Sequence, residues 1–192
     1  MAKKSAKEKM THQSSPAKVP LFETSEVARL SKEEMFEALV ERVTDLGFTL
    51  IGEDRHRPWG GFLLVDESQA RIFATSWFPE LDWQHLKGYS KLSPKFLLVE
   101  PHAMLSWQYH HRRSEIWTLI AGEASLVRSH TDSLGAPSPL RLGEMVELAC
   151  KERHRLLGDE QWGIVAEIWK HELPQHPSDE DDIIRVEDAY GR

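Results

Sequence analysis

The feature that most constrains this chain is a series of short apolar runs that begins after Gly47. The runs are rich in β-branched and aromatic residues and are separated by turn residues, which is typical of β-strands. Many strands of this length indicate a sandwich or a small barrel, so the sequence predicts a mainly β fold. The predicted strands are Phe48–Gly52, Gly61–Val65, Arg71–Thr75, Lys95–Val99, Met104–Tyr109, Ile116–Ile120, Glu123–Val127, Glu144–Leu148 and Gly163–Trp169.

One amphipathic helix is predicted ahead of most of these strands. Ser31 and Glu34 form a capping-box pattern, and apolar residues then recur at helical spacing up to Gly47, a common helix stop. This pattern predicts a helix over residues 32–46 whose apolar stripe packs against the strands. The aromatic-rich segment 77–93 predicts a short helix and a loop that cover one end of the barrel.

The distribution of charge separates a short leader from the body of the chain. Residues 1–20 hold five lysines and one glutamate, whereas the whole 192-residue chain has a net charge of −7. The leader lacks apolar periodicity and is predicted to be a disordered basic segment. Residues 21–192 are predicted to form one domain, with a barrel over about 48–170 and a C-terminal extension over 171–192. An acidic body does not favour nucleic acid as a partner.

Cysteine content and hydropathy bear on where in the cell the protein is expected. The chain has one cysteine, which excludes a disulfide framework and a zinc knuckle built on paired cysteines. No apolar run approaches the roughly 18 residues of a membrane span, and no apolar signal segment follows the lysines of the leader. A cytoplasmic protein without membrane contact is therefore expected.

Potential metal ligands are concentrated in segment 101–122. Gln108 and His110 are two residues apart and so lie on one face of a strand, and Glu115 follows a short stretch that can form a turn. His154 can join them if a later strand lies opposite in a closed barrel. Two imidazoles, a carboxylate and an amide oxygen form a mixed nitrogen and oxygen ligand set that divalent first-row metals accept. The sequence predicts one divalent metal ion here, with zinc favoured and manganese, cobalt, nickel or iron as alternatives.

The spacing of these residues resembles the two motifs of the cupins. In the first motif, His110, Glu115 and Gly122 are in register, and in the second motif Gly143 and His154 are in register. The resemblance implies a double-stranded β-helix, or jelly-roll, barrel with the predicted helix packed outside it.

The first motif of this chain has Gln108 where cupins usually have a histidine. In this it resembles the mannose-6-phosphate isomerase branch of the cupins. The pattern resembles the C-terminal isomerase domain of bifunctional mannose-6-phosphate isomerase/mannose-1-phosphate guanylyltransferases. The resemblance covers about residues 57–192. Three segments carry it: RPWG at 57–60, LSWQYHHRRSEIW at 105–117, and EDDIIRVEDAYGR at 180–192.

The chain departs from the pattern of that family at four positions. Arg112 and Ile116 stand where the family commonly has histidines, and Ala149 and Lys151 replace the proline and the second glycine of the second motif. These departures bear on the substrate and on the group that transfers the proton, and they leave the four predicted ligands in place.

The resemblance implies a metal-dependent isomerase that interconverts mannose 6-phosphate and fructose 6-phosphate. A metal ion held by such ligands acts as a Lewis acid on the negative charge that develops on the enediolate oxygens. Arg113 is predicted to be the catalytic residue that clamps this charge, and Lys95 and Arg57 are predicted to bind the phosphate of the substrate. The sequence does not identify the general base, and His111 is expected to lie on the opposite face of its strand.

Two other functions stay open at this point. One is a cupin dioxygenase with Fe(II), which Gln108 disfavours because iron oxygenases commonly use two histidines and a carboxylate. The other is a binding module that has kept the metal pocket without catalysis and binds a sugar phosphate or a nucleotide sugar. A homodimer is expected from analogy with the fold.

The C-terminal part of the chain has no strong motif outside the resemblance. His171 lies in loop-like surroundings and is interpreted as incidental. Arg185 or Tyr190 can approach the site if the terminal segment folds over the mouth of the barrel. The acids of this segment are expected to form a solvated or capping face, namely Asp181, Asp182 and Asp188.

Overall fold

The computed structural model describes residues 21–192, in which nine strands form one curled antiparallel sheet. The predicted leader 1–20 lies outside the described residues. The helices are α1 (Thr24–Val27), α2 (Lys32–Asp45), α3 (Ala70–Trp77) and α4 (Trp83–Leu86), with 3₁₀ turns at Glu67–Gln69 and Glu180–Asp182. The strands are β1 (Leu50–Arg57), β2 (Gly60–Val65), β3 (Leu92–Val99), β4 (Trp107–His110), β5 (Arg113–Ser129), β6 (Ser138–Pro139), β7 (Met145–Leu148), β8 (Arg153–His171) and β9 (Ile183–Glu187). The predicted mainly β barrel fold with an N-terminal helix is confirmed.

The sheet is organised around its two longest strands, β5 and β8. Strand β8 pairs with β5 along nearly its whole length, and its other edge pairs with β4 near its start and with β3 in its second half. The strand order is β1-β2-β3-β8-β4-β9, and β5 also pairs with β6 and β7. This topology makes β4, β5 and β8 neighbours, although the segments are far apart in sequence.

Alternating residues of β3 show the two faces of the sheet. Phe96 and Leu98 lie in a hydrophobic cluster on the outer face, which α2 and α3 cover. Leu97 and Val99 belong to a second cluster on the concave face, and Lys95 lines a cavity on that face. The period-2 alternation of a strand therefore places one lysine inside the barrel and leaves the outer face for the helices.

The predicted amphipathic helix is α2. Both hydrogen bonds of the capping box are present: the Glu34 backbone N–H donates to the Ser31 hydroxyl, and the Ser31 N–H donates to the Glu34 carboxylate. The helix ends at Asp45, before Gly47 with its φ of 89°. No helix of the described chain is long and apolar enough to cross a membrane. The residues that α2 buries are Met35, Phe36, Leu39 and Val43.

One predicted strand is wrong, because residues 71–75 lie in helix α3. The helix buries Ala70, Phe73 and Ala74, which are three and four residues apart and so share one helical face. Ile72 is exposed on the other side of the helix. Five residues of mixed polarity fit both the two-residue period of a strand and the 3.6-residue period of a helix. Packing against the outer face of the sheet favours the helix here.

Two other predicted strands, Ile116–Ile120 and Glu123–Val127, are parts of the continuous strand β5. The strand changes register against β8 around Gly122, which has a φ of 69°. A Cβ atom at this position would lie 1.6 Å from the carbonyl oxygen of Trp162. The glycine that closes the first motif is therefore needed both for its left-handed backbone and for the close approach of β8.

We expect the Gly122→Ala variant to lose more than about 3 kcal/mol of its free energy of unfolding. The added methyl group overlaps backbone rather than a movable side chain, so the pairing of β5 with β8 must shift. Urea unfolding followed by circular dichroism measures the loss. Gly88→Ala is the matched control, because a Cβ there meets nothing within 4 Å, and its change should stay within about 0.5 kcal/mol. Equal stability of the two variants would contradict the argument.

Candidate metal centre

Three strands bring two histidines and a glutamate to one point on the concave face. His110 ends β4, Glu115 lies near the start of β5, and His154 lies near the start of β8. One ligand atom from each lies within 4.8 Å of the others, and all three side chains are at most 2% exposed. Three of the four predicted ligands therefore form a compact buried cluster.

The hydrogen bonds of the two imidazoles decide which nitrogens face the cluster. His110 Nδ1 lies 3.2 Å from the carbonyl oxygen of Asp182, and His154 Nδ1 lies 2.9 Å from that of Glu152. Carbonyl oxygens only accept hydrogen bonds, so Nδ1 is the donor in both rings. In the neutral imidazoles each Nε2 then carries a lone pair, and the two Nε2 atoms are 3.2 Å apart.

The surroundings of Glu115 show that this donor set suits a cation. Its Oε1 lies 3.2 Å from His110 Nε2, and its Oε2 lies 3.3 Å from His154 Nε2. Oε2 is buried and has no hydrogen-bond partner among the described residues. Burial lowers the pKa of His110 to about 4, so that ring is neutral at pH 7. Ring lone pairs and a carboxylate that converge in this way fit a divalent metal ion.

Gln108 extends the same group from the neighbouring position on β4. It pairs across the sheet with His154 and lines the cavity beside Glu115. The Ser106 hydroxyl donates to the amide oxygen of Gln108 and orients the side chain. The second oxygen lone pair can still face the cluster, as a fourth ligand requires.

Arg113 is fully buried, and its guanidinium group is within hydrogen-bond distance of two predicted ligands, Glu115 and His110. Its Nε donates to Glu115 Oε1 at 2.8 Å, and its Nη2 lies 3.2 Å from His110 Nε2. Its Nη1 donates to the hydroxyl of Ser178 at 2.9 Å. Burial by itself raises the pKa of Glu115, but nearby positive charge, including that of Arg113, outweighs it and holds the pKa well below its usual value. Glu115 is therefore ionised at neutral pH.

Asp182 is not on a solvated face, so of the two expectations for this acid only the capping one agrees with the structure. Its side chain is buried, and its carboxylate accepts hydrogen bonds from the backbone N–H groups of His111 and Arg112 and from the Ser178 hydroxyl. These N–H groups belong to the tight connection between β4 and β5, where they have no strand partner. Because the Asp182 carbonyl also orients His110, the C-terminal segment supports this cluster of side chains directly.

His171 is also different from its interpretation as an incidental loop residue. It ends β8 and is 1% exposed. One ring nitrogen accepts the backbone N–H of Ser178 at 2.8 Å, and the other lies 2.9 Å from the Ser93 hydroxyl. Its role is to anchor the segment that leads to Asp182. By contrast, His111 is exposed, and it lies in the connection after β4 rather than on the strand where it was expected.

A cavity of about 50 Å³ adjoins the cluster, which is room for a few water-sized groups. Both predicted phosphate-binding residues line it. Lys95 Nζ lies 3.5 Å from the carboxylate of Glu180, and Arg57 Nη2 lies 3.7 Å from the same carboxylate. Glu180 is about half exposed, so the cavity meets solvent at this side chain. The charged residues of its wall are Arg57, Lys95, Arg113, Glu115, Glu167, Glu180, Arg185 and Arg192.

Glu167 is the functional candidate that the sequence analysis missed. It lies on β8, lines the cavity and is 3% exposed. Its Oε1 accepts a hydrogen bond from the Trp117 indole at 2.8 Å, and its Oε2 lies 3.9 Å from Lys95 Nζ. Burial, with the nearby charge of Glu115, raises the pKa of Glu167 to about 8. The sequence feature that could have identified Glu167 is its position as the single acidic residue in the apolar run 163–169.

Known proteins share this sequence region. The family model described as mannose-6-phosphate isomerase C-terminal matches residues 66–188, which contain all four predicted ligands. The xanthan biosynthesis protein XanB of Xanthomonas campestris pv. campestris is 27% identical over 137 residues, 71% of this chain and 23% of XanB. The alginate biosynthesis protein AlgA of Pseudomonas aeruginosa is 28% identical over 137 residues, 71% of this chain and 22% of AlgA. This chain therefore spans less than a quarter of the length of these curated relatives.

One solved structure with a similar arrangement is the capsular polysaccharide assembling protein CapF of Staphylococcus aureus. The similarity covers 73% of this chain and 34% of CapF, with a TM-score of 0.46 and 12% sequence identity.

Proposed function

Because this chain belongs to the family described as mannose-6-phosphate isomerase C-terminal, we propose that it is a metal-dependent isomerase of sugar phosphates. The substrate pair that we propose is mannose 6-phosphate and fructose 6-phosphate. The observation that carries the proposal is the buried cluster of His110, Glu115 and His154, which opens onto a cavity with a surplus of cationic side chains.

We propose that Gln108, His110, Glu115 and His154 hold one divalent metal ion, for which zinc is the favoured candidate. When bound, such an ion supplies Lewis-acid stabilisation of negative charge on substrate oxygens. Arg113 adds a permanent positive charge at the same wall of the cavity, and it holds Glu115 in position by donating to its Oε1 atom.

The charge of the cavity supports an anionic substrate. Five cations and three carboxylates line it among the described residues, whereas the whole chain has a net charge of −7. A cluster of guanidinium groups inside an acidic protein suits a phosphate group, which arginine binds through two oxygens at once. The cavity is small and meets solvent beside Glu180, so the reacting end of a hexose phosphate must lie close to the predicted ligands.

We assign the proton transfer to Glu167. Isomerisation moves one hydrogen from C2 to C1 of the open-chain sugar and one from O2 to O1, with no net oxidation. In our proposal the Glu167 carboxylate takes the proton from C2 and returns it to C1, while the hydroxyl proton passes between the two oxygens. A carboxylate whose pKa burial raises towards neutrality is suited to this task, because it can both accept and release a proton.

An assay of the metal-loaded protein with mannose 6-phosphate tests the proposal. Fructose 6-phosphate and dissolved oxygen are followed together, and the chelator-treated protein is the control. We expect fructose 6-phosphate to accumulate at constant oxygen, with activity lost after chelation and restored by metal. Oxygen consumption with a suitable substrate indicates the dioxygenase alternative. Calorimetric binding of the sugar phosphate without turnover indicates the non-catalytic binding module, and either result overturns the proposed reaction.

The homodimer, the cytoplasmic location and the absence of a nucleic-acid partner stay predictions from the sequence. Size-exclusion chromatography with light scattering tests the first of them directly.

A further inference from the structure

In the described part of the chain, Arg185 differs from the other cations of the cavity wall because its side chain has no hydrogen bond or ion pair. Arg57, Lys95 and Arg113 each form an ion pair with a glutamate of the wall, and Arg192 pairs with Asp188. Within residues 21–192, Arg185 forms no hydrogen bond or ion pair through its side chain, and its Nε atom is buried.

The strand pairing places this unpartnered cation next to the metal centre. Arg185 lies on β9 directly opposite Gln108 on β4, and His110 lies opposite Ile183. Opposite residues of an antiparallel pair project from the same face, with Cβ atoms about 4.5–5.5 Å apart. Ile183 and Arg185 both line the cavity, whereas Ile184, between them, is exposed on the outer face.

A partly buried guanidinium without a partner is unfavourable, because it has lost hydration and gained no hydrogen bond. A ligand with at least two anionic oxygens supplies what is missing, since the planar guanidinium donates to two oxygens in parallel. The neighbouring cations are less suited to this, because Glu180 already lies against Lys95 and Arg57. A phosphate group that binds Arg185 therefore does not have to break an existing ion pair.

We propose that Arg185 is the principal anion-binding residue of the cavity and that it binds the phosphate group of the substrate. This revises the prediction from the sequence that Lys95 and Arg57 carry that contact. The identity of the anion as a sugar phosphate rests on the proposed function, whereas the anion site itself rests only on Arg185 and the cavity.

Calorimetric titration with inorganic phosphate tests the anion site without turnover. The metal-loaded full chain is compared with Arg185→Gln, and both proteins carry the same metal content, so any contribution of the metal to phosphate binding is shared. We expect the substitution to weaken phosphate binding by about 10- to 100-fold, the loss typical of a charged hydrogen-bond partner. Arg185→Lys keeps the positive charge but cannot donate two parallel hydrogen bonds to the phosphate, so this variant should recover only part of the phosphate affinity.

Arg141→Gln is the matched control, because this arginine is highly exposed and does not line the cavity. It should bind phosphate as the unmodified protein does. Thermal unfolding of each variant shows that the comparison is made between folded proteins. Unchanged phosphate affinity in Arg185→Gln, or no phosphate binding by the unmodified protein, overturns the inference.

Turnover of mannose 6-phosphate separates this inference from the proposed function. If the protein is an isomerase, Arg185→Gln should raise KM by about tenfold or more and change kcat much less, since the phosphate group takes no part in the bonds that change at C1 and C2. An active enzyme with an unchanged KM in Arg185→Gln contradicts the role of Arg185 and leaves the isomerase intact. Phosphate binding that depends on Arg185 in a protein without isomerase activity supports the anion site and contradicts the proposed reaction.

Discussion

Replacing His154 by alanine is expected to abolish stoichiometric metal binding. His154 supplies one of two ring nitrogens of the cluster, and its Nε2 lies 3.3 Å from Oε2 of Glu115, which has no hydrogen-bond partner among the described residues. Loss of groups that merely orient ligands lowers metal affinity by about 10- to 100-fold, so loss of a ligand should exceed about 100-fold. The metal content after dialysis, measured by mass spectrometry, and the affinity in competition with a chelator report the change.

His85→Ala is the matched control for this experiment. His85 is an exposed residue of the short helix α4 and lies outside the cavity wall. It should keep one metal ion per chain and a normal thermal transition. Equal metal retention by His154→Ala and His85→Ala would mean that the cluster does not bind the metal, and the proposed chemistry would then have no Lewis acid.

Replacing Glu167 by glutamine is expected to lower kcat by about 10²- to 10⁴-fold, the contribution typical of a positioned general base. Glutamine has nearly the same shape and can still accept the hydrogen bond of the Trp117 indole, so the fold and the metal content should be unchanged. In deuterium oxide the unmodified enzyme should exchange the C2 proton of its substrate with solvent, and the variant should not. These two measurements separate loss of the base from loss of structure.

Glu160→Gln is the matched control, because Glu160 is on the same strand but its side chain is 84% exposed. Its kcat should equal that of the unmodified enzyme. The base must be deprotonated, so activity of the unmodified enzyme should increase as the pH is raised through the pKa of Glu167, which burial raises to about 8. A Glu167→Gln variant that keeps more than a tenth of the kcat would exclude this residue as the base.

Local patterns were sufficient for several parts of the protein. The capping box and the apolar stripe of α2 involve residues three or four apart, so the sequence contained both the cause and the position of the helix. The motif spacing likewise predicted the ligand cluster of His110, Glu115 and His154, which the structure brings together. The prediction of a strand at residues 71–75 was wrong. A short segment of mixed polarity can form a strand or a helix, and here the helix buries its apolar face.

Long-range contacts determined the parts that the sequence analysis missed. Glu167 appeared as one acid in an apolar run, and only the pairing of β8 with β3 and β5 shows that it meets Lys95 and Trp117. Asp182 appeared as one acid among several, yet it caps the connection between β4 and β5. Neither partner set can be read from spacing, because the residues that meet are 50 or more positions apart.

The sequence by itself therefore determined the strand-rich fold, the amphipathic helix and the types of ligand, since each of these depends on the order of residues within a short segment. Among the described residues, the tertiary structure alone decided which cations of the cavity wall are paired with an acid and which are not. Within residues 21–192 it leaves the Arg185 side chain without a hydrogen bond or ion pair, because β9 adds to the sheet beside β4 and carries that side chain into a cavity whose other cations already have acids beside them. Ion pairs form between groups that are close in space, and only the folded, curled sheet brings these groups close together.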